Sequence, residues 1–119
     1  MRAVDWVVVP STWWENAPAE ERAALAAVPS IASRVNADGS NMRDVLIESL
    51  LASGSDLVIL PIQDVFGWRD RINQPATVGD GNWTWRLPWR IEELSTEPAA
   101  TAVASQLRRW SEQYGRAGL

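Results

Sequence analysis

"DVLIESLLASGSDLVILP", Asp44 to Pro61, decides what kind of fold this chain can have. Val45, Leu46, Leu50 and Leu51 recur at helical spacing and form one apolar stripe. Ser40 or Asn41 suits the N-cap of that helix, and Gly54 falls where helices commonly end. From Asp56 the pattern changes. "DLVILP" is an unbroken apolar run, which predicts a strand covered on both faces. A helix feeding straight into such a strand belongs to an α/β repeat with parallel pairing.

Working outward, the same grammar appears upstream. "VDWVVV", Val4 to Val9, is a β-branched run ended by Pro10 and predicts a buried strand. "PSTWWEN" predicts a turn, with Ser11 or Thr12 capping a helix and Trp13 and Trp14 packing on the sheet. "APAEERAALAAV" predicts a helix with Pro18, Glu20 and Glu21 in its first turn and Pro29 as its stop. Downstream, "IQDVFGW" predicts a turn, and "RIEEL" a single helical turn. Thr96 is expected to cap a final helix whose inner face carries Ala100, Val103, Ala104, Leu107, Trp110 and Ser111, with Gly115 closing it. The order is strand, helix, helix, strand, long loop, helix. Two strands are too few for the architecture this implies, since a barrel needs about eight.

Composition narrows the chemistry. The chain has 119 residues, the length of a single domain, and a net charge of −4. It contains no cysteine and no histidine, so disulfides, thiolate or imidazole metal sites and Ser-His-Asp catalysis are excluded within it. No cofactor is implied. The basic residues are all arginine and are scattered, which makes a nucleic-acid partner improbable. No apolar run approaches the roughly 20 residues needed to span a bilayer. With no signal peptide pattern at the start, the expected location is the cytoplasm.

The long loop "INQPATVGDGNWTWRLPW", Ile72 to Trp89, holds two prolines, two glycines and three tryptophans. A loop of that length inside a compact domain points to function. Together with Arg71 it resembles the end of the 4-α-glucanotransferases (amylomaltases, disproportionating enzymes; glycoside hydrolase family 77). That family shows an Arg-Ile/Met-Asn-x-Pro-Gly-Thr run followed by Asn-Trp-x-Trp/Tyr-Arg. Pro61, Gln63 and Asp64 match its Pro-x-Gln-Asp signature, "TWWENAPAEERAAL" is similar to the segment after its seventh strand, and "QLRRWSEQYGR" to its terminal helix. The resemblance implies an α/β fold, a partial (β/α)8 barrel made of the last two βα units. Residues 1–43 would be a diverged seventh βα unit, and residues 44–119 the eighth unit, the rim loop and the terminal helix.

It also implies the transfer of α-1,4-glucan segments through a covalent glycosyl-enzyme, which needs two carboxylates about 5 Å apart. In the family these lie on middle strands with no counterpart here, and the His-Asp pair expected after the seventh strand is replaced by "VVVPSTWWEN". The isolated chain is therefore expected to be inactive. The alternative is a non-catalytic glucan-binding or oligomeric interaction module. Open strand edges predict self-association, or association with the missing part of a barrel. Maltooligosaccharide is the candidate ligand.

Among site residues, Asn73, followed by Pro75, falls where the family sets an asparagine against bound sugar; its plainer reading is a turn residue. Asp64 either orients a substrate hydroxyl or holds the loop, or else caps the turn Val65-Phe66-Gly67, and the last is preferred. Asn82, Trp83, Trp85 and Arg86 are read as structuring the loop. The two tryptophans share one face if the segment is extended, and packing against the last helix is preferred to stacking on sugar. Arg86 is expected to pair with a carboxylate. Ala76 stands where the family has glycine, and is strained by about 1 kcal/mol if that position has positive φ.

Overall fold

A computed structural model of the chain describes residues 4–6, 10–70 and 76–117, with side chains from residue 13 onward. Asn73 and Pro75 lie outside the described residues. The helix read from Asp44 is the centre of the molecule. It runs Met42–Leu51 (α4) and buries two different faces, Met42 and Val45 on one side, Ile47 and Leu51 on the other. On the first side Ile31, Met42 and Val45 form a core with Trp14, Leu25, Val35 and Leu46 against them. On the second, Ile47, Leu51 and Trp110 pack with Leu60, Leu107 and Tyr114. A helix buried on two sides tolerates little polar character there, which is why its stripe is broader than a surface helix needs.

Three short helices cover the first face: α1 (Pro10–Asn16), α2 (Ala19–Ala26) and α3 (Pro29–Ala32). Pro10 begins a helix rather than a turn, and Pro29 starts α3 as well as stopping α2, because a fixed φ suits a first helical turn. Trp14 packs in this helical core, not on the sheet. The Arg22 guanidinium lies 5.9 Å from the Trp14 ring centroid. Gly39, at φ +71, passes so close that a Cβ there would sit 2.5 Å from Trp14 Nε1.

Asn41 holds the N-cap position of α4 without capping it. Its Oδ1 accepts from the Asn36 amide at 2.8 Å and its Nδ2 donates to the Arg34 carbonyl at 2.8 Å, so it staples the preceding connector instead. Gly54 does not end the helix in a left-handed conformation; the cap residue is Ala52, with helical φ and ψ.

The second strand is shorter than the run 56–61 that predicts it, and residues 7–9 of the first run lie outside the described residues. β1 (Val4–Trp6) pairs in parallel with β2 (Leu57–Ile59), Val4 opposite Leu57. β2 is not covered on both faces: Leu57 is 47% and Ile59 41% exposed. Leu60, an even position, packs toward α4 and the last helix, which leaves the odd positions facing away from them. The described residues hold only this two-stranded sheet, so the second layer that a parallel sheet requires is not there to cover that face.

The predicted turn after β2 is a helix, α5 (Ile62–Phe66), closed by Gly67 at φ +71. The Trp68 amide donates to Gln63 O and the Gly67 amide to Asp64 O, the double bond pattern of a Schellman stop. The final helix, α6 (Pro98–Gln113), buries Ala100 and Trp110, while Ala104 is exposed. Thr96 does not cap it. Its hydroxyl donates to Glu93 O at 3.1 Å, extending the 3-10 turn Ile91–Glu93. At the far end of α6, Arg116 donates to the carbonyls of Leu51, Ser53 and Ser55, tying α6 to the segment between α4 and β2.

Candidate functional site

Barrel-type sites form beyond the carboxyl ends of strands, so the segment from Leu60 to Trp89 is where this chain would build one. Its base is α5. Burial there falls on polar groups: Gln63 is 3% and Asp64 1% exposed. Gln63 Nε2 finds no acceptor among the described residues. A carboxylate taken this far from water must be compensated locally, so Asp64 is a positioned group and not a surface charge. The turn it was expected to cap is closed by backbone hydrogen bonds and the left-handed Gly67 instead.

Gly67 also explains how α5 sits on α4. A Cβ at this position would lie 2.6 Å from Arg43 Nη1, so the bare backbone lets the guanidinium pass beneath the turn. Arg43 in turn bonds Asp44 Oδ1 from Nε (3.0 Å) and Nη2 (2.8 Å). Arg43, Asp44, Ile47 and Val65 line one wall of a groove of about 200 Å³ whose other wall is α6. A larger cleft, about 540 Å³, lies at the opposite, amino end of β2, between Ser53–Val58 and Tyr114–Ala117.

Above α5 the aromatic residues of the loop collect. Phe66 and Trp68 stack at 4.4 Å with 10° between planes. Trp89 tilts onto both, at 5.4 and 5.6 Å, and Trp85 onto Trp68 at 5.8 Å. These spacings are those of favourable offset and tilted aromatic pairs. The satellite core of the loop therefore consists of Phe66, Trp68, Trp85 and Trp89, and α6 is not part of these ring contacts. Phe66 and Trp68 were missed by sequence reasoning; the signal was a pair of aromatics flanking a glycine just before the loop.

Trp83 departs from expectation. It is 74% exposed and has φ +63, so it does not share a buried face with Trp85. The extended conformation assumed for Trp83-Thr84-Trp85 fails at its first residue, because a left-handed residue reverses the side-chain direction. Asn82 ties the loop to itself, with Nδ2 donating to Thr77 O at 3.0 Å and Thr77 Oγ1 at 3.2 Å. Ala76 has φ +60, the left-handed conformation that glycine accepts and alanine resists. Arg86 is exposed and has no ion pair among the described residues, in contrast to the expected carboxylate partner. Arg69 pairs with Glu15 instead, joining the base of the loop to α1.

Among the described residues there is no group of three or more metal-ligating side chains, and no helix is long and apolar enough to cross a membrane.

The 4-alpha-glucanotransferase family model matches residues 9–92. Over 106 residues the chain is 33% identical to a chloroplastic/amyloplastic 4-alpha-glucanotransferase of Solanum tuberosum, covering 87% of this chain and 17% of the relative. Over 97 residues it is 30% identical to the corresponding chloroplastic/amyloplastic enzyme of Oryza sativa subsp. japonica, covering 80% of this chain and 15% of that one. The chain thus spans about a sixth of the length of these relatives. No solved structure matches it. The expected cytoplasmic location is corrected by these relatives, which are plastid enzymes and point away from the cytoplasm. The family is one of TIM-barrel enzymes, and the described residues form a small, mostly helical unit with a short parallel sheet. This chain belongs to the 4-alpha-glucanotransferase family.

Proposed function

We propose that the chain supplies the closing part of a 4-α-glucanotransferase barrel, in the transfer of α-1,4-glucan segments during starch, glycogen or maltodextrin metabolism. The observation that carries this reading is the family match across residues 9–92, which includes α5 and the rim loop. The parallel β1–β2 pair, with helices on one face and Leu57 and Ile59 open on the other, supports placement as the last two βα units of a barrel. On this reading Asn73 and Pro75 meet the bound sugar, and the buried Asp64 holds the loop that carries them.

The 119 residues alone are inactive on this proposal. Retaining transfer needs a nucleophilic carboxylate and a carboxylic acid about 5 Å apart across the scissile bond. The family places them on strands to which no segment here corresponds. The open face and edges of the sheet instead favour self-association, or docking with a chain that carries the remaining strands.

Purified chain incubated with maltotriose should yield no disproportionation products. Mixed with the potato relative lacking the segment that this chain matches, it should restore transfer. Products from the chain alone would overturn the inactivity. No restoration in the mixture, with both parts folded, would overturn the barrel reading. Light scattering should show a species larger than a monomer at micromolar concentration, and a clean monomer would remove the self-association.

A further inference from the structure

We propose that Trp83 is the aromatic platform of an α-glucan binding site on the outer side of the rim loop, stacking its indole on the apolar face of a glucose unit. The proposal rests on the glucan reading above and assigns to Trp83 a ligand-facing role in place of a packing one.

Trp83 is set apart from the other loop aromatics. Phe66, Trp68, Trp85 and Trp89 touch one another, whereas Trp83 leaves 74% of its surface in water. Its φ of +63 is a conformation that bulky L-residues avoid and that collects at binding sites, where surrounding structure enforces it. Here the enforcement is visible. Asn82 bonds back to Thr77, the Asn82 amide to Gly79 O, and the Thr84 hydroxyl to Gly81 O. The ring is thus presented by a loop that is already ordered, which lowers the cost of binding.

The chemistry selects an uncharged ring as ligand. The nearest charges along the sequence, Asp80 and Arg86, are of opposite sign, so they favour neither an anionic nor a cationic ligand. A pyranose offers a face of C–H bonds to the electron-rich indole face, and its hydroxyls stay in water at the rim. A nucleic-acid base would stack equally well, but its phosphates meet a chain of net charge −4 with no basic stripe.

The test uses the full chain in native gels containing glycogen and in calorimetric titration with maltoheptaose, comparing wild type with Trp83→Gly and Trp83→Phe. Trp83→Gly suits the left-handed backbone, so it should fold at least as well as wild type, which circular dichroism and thermal melting verify. Wild type should bind maltoheptaose in the millimolar range and be retarded by glycogen. Trp83→Gly should weaken binding by about tenfold or more, the scale of one lost aromatic stack, and Trp83→Phe should retain most of it. Wild-type binding by the folded Trp83→Gly variant would overturn the proposal, as would a wild type that ignores both glucans. Equal binding of cellohexaose would overturn the α-glucan assignment. Loss of binding in Trp83→Gly together with failed barrel complementation would leave the platform standing without the enzyme reading. Complementation with unchanged binding would do the reverse.

Discussion

Replacing Arg116 with alanine should unfasten the last helix from the centre of the molecule. Its guanidinium donates to three carbonyls, Leu51 O at 2.5 Å, Ser53 O at 3.0 Å and Ser55 O at 2.8 Å. These are carbonyls at and beyond the end of α4, the negative pole of its dipole, where a cation is favoured. A charge-assisted hydrogen bond contributes about 1.5–3 kcal/mol net in a well-desolvated site. Arg116 is only half-buried, and the three bonds share one charge, so they do not add in full. The expected loss is about 2–3 kcal/mol. Lysine keeps the charge but cannot span three acceptors with a single ammonium, and should recover less than half of that. Gly115 sets the geometry. At φ +68 it turns the chain so that the Arg116 amide reaches Ser111 O at 2.7 Å and the side chain points back at α4. Gly115→Ala should therefore cost about 1 kcal/mol by itself. It should also overlap with Arg116→Ala, making the double variant less unstable than the sum. Urea unfolding followed by far-ultraviolet circular dichroism measures this. With a slope of about 1.5 kcal/mol per molar, Arg116→Ala should lower the midpoint by about 1.3–2 M. A shift below about 0.3 M, the equivalent of 0.5 kcal/mol, would refute the reasoning and mark Arg116 as a surface residue.

Three further outcomes follow from other parts of the molecule. Ala76→Gly should raise stability by about 1 kcal/mol, seen as a melting temperature higher by about 3–5 °C, because φ +60 strains alanine. Met42→Ala should cost about 2–5 kcal/mol, since the side chain is 2% exposed in the core shared with Ile31 and Val45. The sole tyrosine, Tyr114, donates to Glu48 Oε1 at 2.7 Å, and this bond to a carboxylate holds its phenol above the usual 10.0. Its absorbance titration at 295 nm should accordingly have a midpoint above 10.0 in the folded chain. A group whose folded pKa is raised contributes stability that is complete below the unfolded value and lost as pH rises through the folded one. Wild type should therefore lose stability faster than Tyr114→Phe on the alkaline side of pH 10.0, and equal slopes would count against the bond.

The sequence by itself determined the elements that follow from local periodicity and from long signatures. The helix over 42–51 and the amphipathic last helix were legible because their apolar spacing is fixed by 3.6 residues per turn, whatever surrounds them. The family pattern's glycine at Ala76 raised the question of a left-handed backbone there, and the φ of +60 answers it. The family itself was legible from the loop signature, which the match over residues 9–92 bears out. What only the tertiary structure decided depends on which neighbours are present. An apolar run such as 56–61 looks the same whether one face or two is covered, so the exposure of Leu57 and Ile59 could not be read from it. Capping was misjudged at Asn41 and Thr96 because their side chains had nearer partners in the connectors, and local propensity does not rank competing hydrogen bonds. Trp83 and Trp85 were separated by one φ angle, and the aromatic cluster formed with Phe66 and Trp68, across a turn whose shape depends on Gly67. Spacing says which residues can meet along one element; packing between elements says which do.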